Sequence, residues 1–317
     1  WLEQVDSAHF TSVHFIPSLD SVEVFVQASE SGSVCMEVLE EDSCITAHTF
    51  TAGGSQTVSF EAPRLWTPEQ PFLYRVRLSL LRAGRETDRV ESYFGLRTFA
   101  VQPDENGTPY FLLNGRPYFQ KGLLDQGYWP DGLYTAPSDE ALKNDILYSM
   151  QLGFNGAGLH QKIFEPRFLY WADRLGYLVW GEHANWGLAV ERADCLQDFL
   201  PEWLEAVERD FSHPSLIGWC PFNETWDHKE TGAHQCDAVL EMVYLATKAA
   251  DPTRPVIDTS GNFHVQTDIF DVHDYEQNPE EFARRYGPGT EPIYERFPDR
   301  QKYVSGRPVF VSEYGGI

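Results

Sequence analysis

Basic residues are scarce in this sequence. Only 24 Lys and Arg stand against 48 Asp and Glu in 317 residues, which gives a formal net charge of −24. Nucleic-acid backbones and anionic membrane surfaces attract proteins through Lys and Arg, so neither is an expected partner. The sequence also lacks the run of about 18 apolar residues that a membrane-spanning helix requires. We therefore expect a protein that acts on a neutral or polar small molecule, and its oligomeric state stays open.

Cysteine is scarce as well, with five residues at wide, irregular spacing and no C-x-x-C pair. This pattern argues against both a disulfide framework and a zinc site, and it favours free thiols in a reducing compartment. The first residues, WLEQVDSAHF, contain neither the basic segment nor the apolar stretch of a signal peptide, so a cytoplasmic location is predicted. Because the sequence starts at Trp1 without a methionine, we also expect that a leader or a domain precedes it.

The first hundred residues have the pattern of β-strands. In one run Val22, Val24 and Val26 point to one face, and turn signals such as Gly53-Gly54 recur about every 8–14 residues. This spacing predicts an immunoglobulin-like, antiparallel β-sandwich over residues 1–101. The predicted strand runs are FTSVHFI, SVEVFVQAS, SVCMEVLEE, QTVSFEA and FLYRVRLSLL.

From Phe119 onward, short apolar strands alternate with amphipathic helical segments. Such alternation predicts a parallel sheet with right-handed crossovers. Each strand ends in polar or charged residues, which is typical of a (β/α)8 TIM barrel with its active site at those ends. A doubly wound sheet is the alternative, but no glycine-rich phosphate loop follows the first strand. The predicted strands are PYFQKGLL, GFNGAGLH, LVWGEH, LIGWCPFNE, PVIDTS, DIFDVHDY and PVFVSEYG.

The seventh predicted strand is followed directly by Ile317, the last residue of the sequence. We therefore expect a catalytic barrel over residues 102–317 that is truncated after strand seven and incomplete at its C-terminus. The predicted helices start after the N-cap Ser138, cover Pro166–Leu175 before Gly176, and lie near residues 201–211 and 237–250.

Two carboxylates stand out by their position in the barrel. Glu224 closes the run LIGWCPFNE and Glu313 closes PVFVSEYG, so an apolar strand delivers each charge to its carboxyl end. Strands four and seven lie on opposing parts of the ring, which would let the two side chains face each other. Paired carboxylates in this position suit glycoside hydrolysis. The alternative for each residue alone is a solvated strand end or a loop salt bridge.

Several segments of the chain resemble glycoside hydrolase family 2, the group of β-galactosidases, β-glucuronidases and β-mannosidases. The resemblance covers nearly the whole length and implies an immunoglobulin-like domain followed by a catalytic barrel. The segments that carry it are LWTPEQPFLYRVRL, FGLRTFAV, NGRPYFQKG, LGFNGAGLH, ADRLGYLVWGE, HPSLIGWCPFNE, DPTRPV and PVFVSEYGG.

The resemblance also implies catalytic roles. Glu224 would be the general acid/base, and Glu313 would be the nucleophile that forms a covalent glycosyl-enzyme, with retention of configuration. Asn223 would bind the sugar 2-hydroxyl, and the Tyr275 hydroxyl would orient Glu313. We expect the two carboxyl groups about 5–5.5 Å apart, with a raised pKa on Glu224 while Glu313 stays ionised.

Other polar and aromatic residues are predicted to lie at the same mouth. Each could hold sugar hydroxyls or stack on a sugar ring, and each could equally be a satisfied rim residue or part of the packing. No ligand spacing for a metal is present, so neither a metal nor a cofactor is expected. The predicted substrate-binding residues are His160, Gln161, Glu182, His183, Trp186 and His273; Trp180, Trp219, Trp226, Asp271 and Asp274 are close by sequence without an assigned role.

The sequence thus predicts a retaining β-glycoside hydrolase, β-galactosidase-like, acting on a small carbohydrate by double displacement. A β-glucuronidase or another β-glycosidase of the family is the alternative within the enzymes. A catalytically silent carbohydrate-binding homologue is the alternative outside them, because Gly158 occupies a strand-two position where the family usually carries Arg. We also expect the truncated barrel alone to be weakly active or inactive.

Overall fold

The computed structural model describes residues 3–41, 43–105, 107–227, 232–287 and 289–315. The chain divides into two compact units. The first comprises Trp1–Thr98 with the short segments Asp173–Gly176 and Phe211–Pro214, and the second comprises the remaining residues to Ile317. None of the described helices combines the length and the apolar character that a membrane crossing needs.

The first unit is a sandwich of two antiparallel sheets. One sheet has the order β1-β2-β5 and the other has the order β4-β3-β6-β7. The predicted alternation is confirmed, because Val22, Val24 and Val26 of β2 are all fully buried in the core. The strands are β1 (Phe10–Pro17), β2 (Ser21–Ala28), β3 (Ser33–Glu40), β4 (Ser43–Thr51), β5 (Ser55–Ser59), β6 (Tyr74–Arg82) and β7 (Arg85–Phe94).

The second unit begins with a small antiparallel sheet and continues as the barrel. The small sheet contains β8 (Phe99–Pro103), β9 (Pro109–Leu113) and β10 (Arg116–Pro117). The barrel strands are β11 (Gly122–Asp125), β12 (Gly156–Leu159), β13 (Leu178–Glu182), β14 (Leu216–Cys220), β15 (Phe222–Asn223), β16 (Thr259–Ser260), β17 (Phe270–Asp274) and β18 (Val309–Tyr314).

All the barrel strands that pair do so in parallel, as the alternation of strands and helices predicts. β11, β12, β13 and β14 form one sheet in that order, β15 pairs with β16, and β17 pairs with β18. The rings of Trp180 in β13 and Phe310 in β18 lie 5.7 Å apart, so strands distant in sequence meet in the barrel interior. Their carboxyl ends therefore gather at one mouth.

Helices connect these strands on the outside of the barrel. α1 begins after Ser138, whose side chain accepts a hydrogen bond from the Ala141 amide, so the predicted N-cap is confirmed. The third helix was predicted to begin near Pro201, but it begins at Leu196 and Pro201 lies inside it. The helices are α1 (Asp139–Gln151), α2 (Pro166–Leu175), α3 (Leu196–Asp210), α4 (Asp237–Ala250) and α5 (Pro279–Tyr286).

Candidate active site

The two predicted catalytic carboxylates occupy different kinds of backbone. Glu313 lies within β18, where it is paired in register with His273 of β17. Glu224 follows β15 directly and has a φ of +51°, a conformation that non-glycine residues rarely adopt. Its amide donates to the Ser260 carbonyl at 3.0 Å, which fixes this turn. Strained residues of this kind are typical of functional sites, and here the strain places a carboxylate at the barrel mouth.

Glu224 is held by an imidazole and an indole. His273 Nδ1 lies 2.9 Å from Glu224 Oε1, and Trp226 Nε1 donates to Glu224 Oε2 at 3.4 Å. The hydrogen bond from His273 lowers the pKa of Glu224 below its ordinary value, although burial acts in the opposite direction. The contacts of Glu224 therefore favour its ionised form.

Glu313 is the more deeply buried of the two, with 11% of its side chain exposed against 19% for Glu224. Its Oε2 accepts a hydrogen bond from the Tyr275 hydroxyl. On the other side, His273 Nε2 lies 3.4 Å and His160 Nδ1 lies 3.7 Å from its Oε1. Burial raises the pKa of Glu313, and the two histidines and Tyr275 offset this only in part.

The expected order of the two pKa values is therefore wrong. The sequence predicts a raised pKa on Glu224, but the structure lowers it and raises the pKa of Glu313 instead. The physical reason is His273, whose direct hydrogen bond goes to Glu224 and whose contact with Glu313 is longer. The same burial and the hydrogen bond to Glu313 raise the pKa of Tyr275.

Glu224, His273 and Glu313 form one tight cluster. One side-chain oxygen or nitrogen atom from each lies within 4.8 Å of the other two. Each ring nitrogen of His273 already faces a carboxylate oxygen, so the arrangement is that of a buried ion-pair network. The expectation that no metal is required stays a prediction.

Asn223 presents an amide that lacks a side-chain partner among the described residues. Only 1% of the residue is exposed, and neither its Oδ1 nor its Nδ2 makes a hydrogen bond within that part of the chain. Its backbone is fixed by Asn185, whose Nδ2 donates to the Asn223 carbonyl at 3.0 Å and whose Oδ1 accepts from the Asn223 amide at 2.8 Å. A buried amide without partners beside Glu224 is suited to bind a hydroxyl group.

Gln161 extends this network towards the second strand. Its Nε2 donates to Asn185 Oδ1 at 2.5 Å, and its Oε1 accepts from the amides of Asn185 and Trp186 at 2.9 and 3.1 Å. Its own amide donates to Glu182 Oε2 at 2.7 Å. Gln161 therefore uses its polar atoms to hold the loops after β12 and β13 together, and a sugar contact by this residue stays a prediction.

His160 and Glu182 lie beside Glu313. His160 Nδ1 is 3.3 Å from Glu182 Oε2, and both residues line a cavity of about 60 Å³ that also reaches Glu313. Burial alone would lower the pKa of His160, but its contacts with Glu182 and Glu313 raise it overall. Gly158 lines the same cavity, and a Cβ built there has nothing within 4 Å. Positive charge near Glu313 therefore comes from histidines and not from the Gly158 position.

The remaining predicted residues separate into rim and packing positions. Trp186 is 60% exposed and its ring lies 5.6 Å from that of His160, so it flanks the mouth. His183 instead packs against Phe199 and Trp203 of α3, with ring centroids 4.7 and 6.1 Å away, and burial lowers its pKa. A sugar contact by either residue stays a prediction.

The aromatic and acidic residues without assigned roles follow the same division. Trp180 and Trp219 are buried core residues, whereas Trp226 is half-buried beside Glu224. The Asp274 carboxylate accepts hydrogen bonds from Arg285 and Tyr286 of α5, so its charge is paired with that helix. The Asp271 carboxylate faces the interior, as described below.

Two residues that position the candidate site were not predicted from the sequence. Ser260 ends β16, and its Oγ lies 2.9 Å from His273 Nε2. Its position at a strand end is the same signal that identified Glu224 and Glu313, but a serine attracts less attention there than a carboxylate. Asn185 lies in the loop after β13, where no strand end marks it, and only the fold shows that it joins Asn223 to Gln161.

Comparison with known proteins supports the same family over both units. The model of "Glycosyl hydrolases family 2" matches residues 8–97, and that of "Glycosyl hydrolases family 2, TIM barrel domain" matches residues 110–316. A β-glucuronidase of Bacteroides fragilis is 29% identical over 66% of this chain and 30% of its own length. A β-galactosidase of Pseudoalteromonas haloplanktis is 29% identical over 63% of this chain and 19% of its own length.

Solved structures show the same fold. The β-D-glucuronidase of Dictyoglomus thermophilum superposes with a TM-score of 0.76 at 21% identity, over 98% of this chain and 55% of that one. The chain thus spans less than two fifths of the curated relatives it matches and about half of this solved structure.

Proposed function

Because this chain belongs to glycosyl hydrolase family 2, we propose that the protein carrying it hydrolyses β-glycosides with retention of configuration. Glu224 acts as the general acid/base and Glu313 as the nucleophile of a double displacement. Its relatives include both β-glucuronidases and β-galactosidases, which supports the reaction class without naming the sugar.

The separation of the two carboxylates is the observation that carries this proposal. A Glu224 oxygen and a Glu313 oxygen lie within 4.8 Å of each other. Retaining enzymes keep their carboxyl groups about 5–5.5 Å apart, whereas inverting enzymes need about 6.5–9.5 Å to admit a water molecule. An oxygen–oxygen distance of at most 4.8 Å supports the closer, retaining arrangement over the wider inverting one.

The chemistry follows from the contacts of each group. In the first step Glu313 forms a bond to the anomeric carbon while the bond to the leaving oxygen breaks and Glu224 protonates that oxygen. In the second step Glu224 removes a proton from water, and the water oxygen displaces Glu313 from the anomeric carbon. The Tyr275 hydroxyl orients Glu313, and the unpaired amide of Asn223 is placed to bind a sugar hydroxyl.

The lowered pKa of Glu224 is compatible with its role as an acid. The hydrogen bond from His273 Nδ1, 2.9 Å from Glu224 Oε1, is the main cause of this lowered pKa. A bound substrate displaces water from the exposed side of Glu224, and desolvation then raises the pKa of this carboxyl. Substrate binding thereby favours uptake of a proton from solvent by Glu224, and His273 keeps both of its N–H groups.

The anomeric form of the first product tests the proposal. The natural-length protein is mixed with an aryl β-glycoside in deuterated buffer, and the sugar anomers are followed by proton NMR before they equilibrate. The β anomer is expected first, and Glu224→Gln and Glu313→Gln should each abolish its rapid appearance. Initial release of the α anomer would contradict the double displacement.

A neutral β-galactoside remains the sugar predicted from the sequence, but one observation favours a second candidate, a β-uronoside. The guanidinium of Arg296 contacts the His273 carbonyl, and its charge acts on Tyr275. No carboxylate of the described residues pairs with Arg296, although acidic residues outnumber basic ones two to one in this chain. A guanidinium in that setting is suited to bind a sugar carboxylate.

Rates on paired substrates distinguish the two sugars. If the uronoside is the substrate, kcat/KM for an aryl β-glucuronide or β-galacturonide should exceed that for the aryl β-galactoside. Arg296→Gln should then lower kcat/KM for the uronoside alone. Arg300→Gln is the matched control, because Arg300 already pairs with Asp237 and Asp227. A preference for the galactoside, unchanged in Arg296→Gln, would exclude the uronoside.

A further inference from the structure

His273 contacts both catalytic carboxylates with one ring. Its side chain is fully buried in β17. Nδ1 lies 2.9 Å from Glu224 Oε1, and Nε2 lies 3.4 Å from Glu313 Oε1. The hydrogen bond of Nε2 goes to Ser260 Oγ at 2.9 Å, and its contact with Glu313 is an ion pair. A neutral imidazole has only one N–H, so the ring can donate at both nitrogens, and carry the charge that attracts Glu313, only when it holds two hydrogens.

The orientation of this ring is fixed by two neighbours that take no part in the chemistry. Ser260 Oγ lies 2.9 Å from His273 Nε2 and donates to Asp271 Oδ1 at 3.1 Å, which anchors the Nε2 side. Gly261 covers the ring face: a Cβ built there would lie 2.1 Å from His273 Cγ, and its φ of +68° also favours glycine. The ring therefore has one place and one orientation in the barrel.

The surroundings of the ring favour its charged form. Burial alone would lower the pKa of His273, but the hydrogen bond to Glu224 and the charges of Asp271 and Glu313 raise it overall. The charged and titratable groups that face it are Asp271 on its own strand, Glu224 after β15, Glu313 in β18 and His160 after β12, and Arg296 contacts its carbonyl.

We propose, on the basis of the retaining mechanism given above, that His273 is a positioning residue that fixes Glu224 and Glu313 relative to each other and contacts the negative charge in both halves of the reaction. Before the first step the charge is on Glu313, because Glu224 holds the proton to be donated. After that step Glu313 is an ester, and Glu224 carries the charge. The second step reverses the transfer.

Each ring nitrogen therefore serves a different step. Nδ1 stabilises the carboxylate that develops on Glu224 as the leaving oxygen takes its proton. Nε2 stabilises the carboxylate that returns to Glu313 when water breaks the ester. Donors that are already in place when charge develops contribute more than donors that must reorient, and the packed ring satisfies this condition.

Two amide substitutions can separate the roles of the two nitrogens. In His273→Asn the amide nitrogen lies near the place of Nδ1, and in His273→Gln it lies near the place of Nε2. With an aryl glycoside in the natural-length protein, the burst rate reports the first step and the steady-state rate reports the second. His273→Asn should slow the second step more than the first, and His273→Gln should show the reverse, each by about 10- to 100-fold with KM little changed.

The pH profile provides a readout that a purely structural role would not change. A nearby cation lowers the pKa of a carboxylate, so its removal should shift the acid limb of kcat/KM to higher pH in both variants. Ser260→Ala leaves the imidazole and both carboxylates in place but loosens the ring, so it should slow both steps by about 10-fold without that shift. It is the variant to use if the His273 substitutions do not fold.

The wild-type protein and the variants give separate answers. If wild type releases the α anomer first or shows no covalent adduct on Glu313, the proposed function fails, and the role of His273 fails with it. If wild type retains configuration but both His273 variants slow the two steps equally and leave the acid limb unmoved, only the role of His273 is overturned. Ser260→Ala with wild-type rates for both steps would likewise overturn it.

Discussion

Replacement of Asp251 by asparagine should destabilise the barrel strongly. Asp251 follows α4 and is fully buried; its Oδ2 accepts from Arg254 at 2.7 Å and from the Trp219 indole at 2.8 Å. Burial alone would raise the pKa of Asp251, but Arg254 and the hydrogen bonds lower it from 3.8 to about 2. A difference of that size corresponds to about 2 kcal/mol of stability at pH 7.

The substitution removes more than this contribution, because Asp251→Asn leaves the Arg254 charge buried without its carboxylate. Breaking a buried ion pair from one side costs about 3–5 kcal/mol. The exposed pair of Arg192 and Asp194 is a matched control, since it joins the same residue types at the surface. Asp194→Asn should leave the unfolding midpoint unchanged.

Urea unfolding followed by tryptophan fluorescence measures both changes, because the buried Trp219 reports on the barrel itself. The pKa of Asp251 is lower in the folded protein than in the unfolded chain. The carboxylate therefore contributes to the free energy of unfolding above pH 3.8, and this contribution is lost as the pH falls towards about 2. The difference between wild type and Asp251→Asn should therefore shrink by about 1 kcal/mol between pH 7 and pH 3. A difference below about 1 kcal/mol at pH 7, or one independent of pH, would refute this reasoning.

Three further substitutions, the first with a matched control, have clear expected outcomes. Gly218→Ala should reduce the yield of soluble, active protein sharply, because the added Cβ would lie 2.0 Å from the Trp180 ring. Gly158→Ala is the control: its Cβ would have nothing within 4 Å, so its unfolding midpoint should stay near that of wild type. Thermal unfolding compares the two variants, and an equal loss of stability in both would contradict the packing. Tyr275→Phe removes the hydroxyl that donates to Glu313 and should lower kcat about 10- to 100-fold in steady-state assays. An unchanged kcat would exclude the proposed orientation of Glu313 by Tyr275. Glu224→Ala should slow the hydrolysis of aryl glycosides with poor leaving groups by about 10²- to 10⁴-fold, but it should spare the first step with activated leaving groups. Azide should restore turnover of the activated substrates. An equal loss of rate for all leaving groups would contradict acid catalysis by Glu224.

The fold could be predicted where the sequence pattern depends on local packing. In β2 the alternation of Val22 and Val24 with polar residues marks a strand with one buried face. Strand β7 was missed because Arg85–Phe94 is rich in charged residues at the edge of its sheet and carries little apolar signal. The predicted strand LIGWCPFNE is divided into β14 and β15 around Pro221, which has no N–H to continue the ladder.

The site could be predicted where a strand end marks a functional residue. Glu224 and Glu313 follow from that rule together with the family resemblance, and the structure brings both into one cluster with His273. The order of their pKa values could not be predicted, because it depends on which carboxylate the His273 ring contacts more closely. That distance is set by Ser260 and Gly261, which are remote from both glutamates in sequence.

The most direct test of the central claim is covalent trapping of the nucleophile. The natural-length protein is incubated with an activated 2-deoxy-2-fluoro-β-glycoside of the sugar it turns over, digested with protease and analysed by mass spectrometry. The account predicts one added fluoro-sugar on the peptide that contains Glu313, slow reactivation in buffer, and no label in Glu313→Gln. A label on another carboxylate, or turnover of the parent glycoside with no adduct, would contradict it.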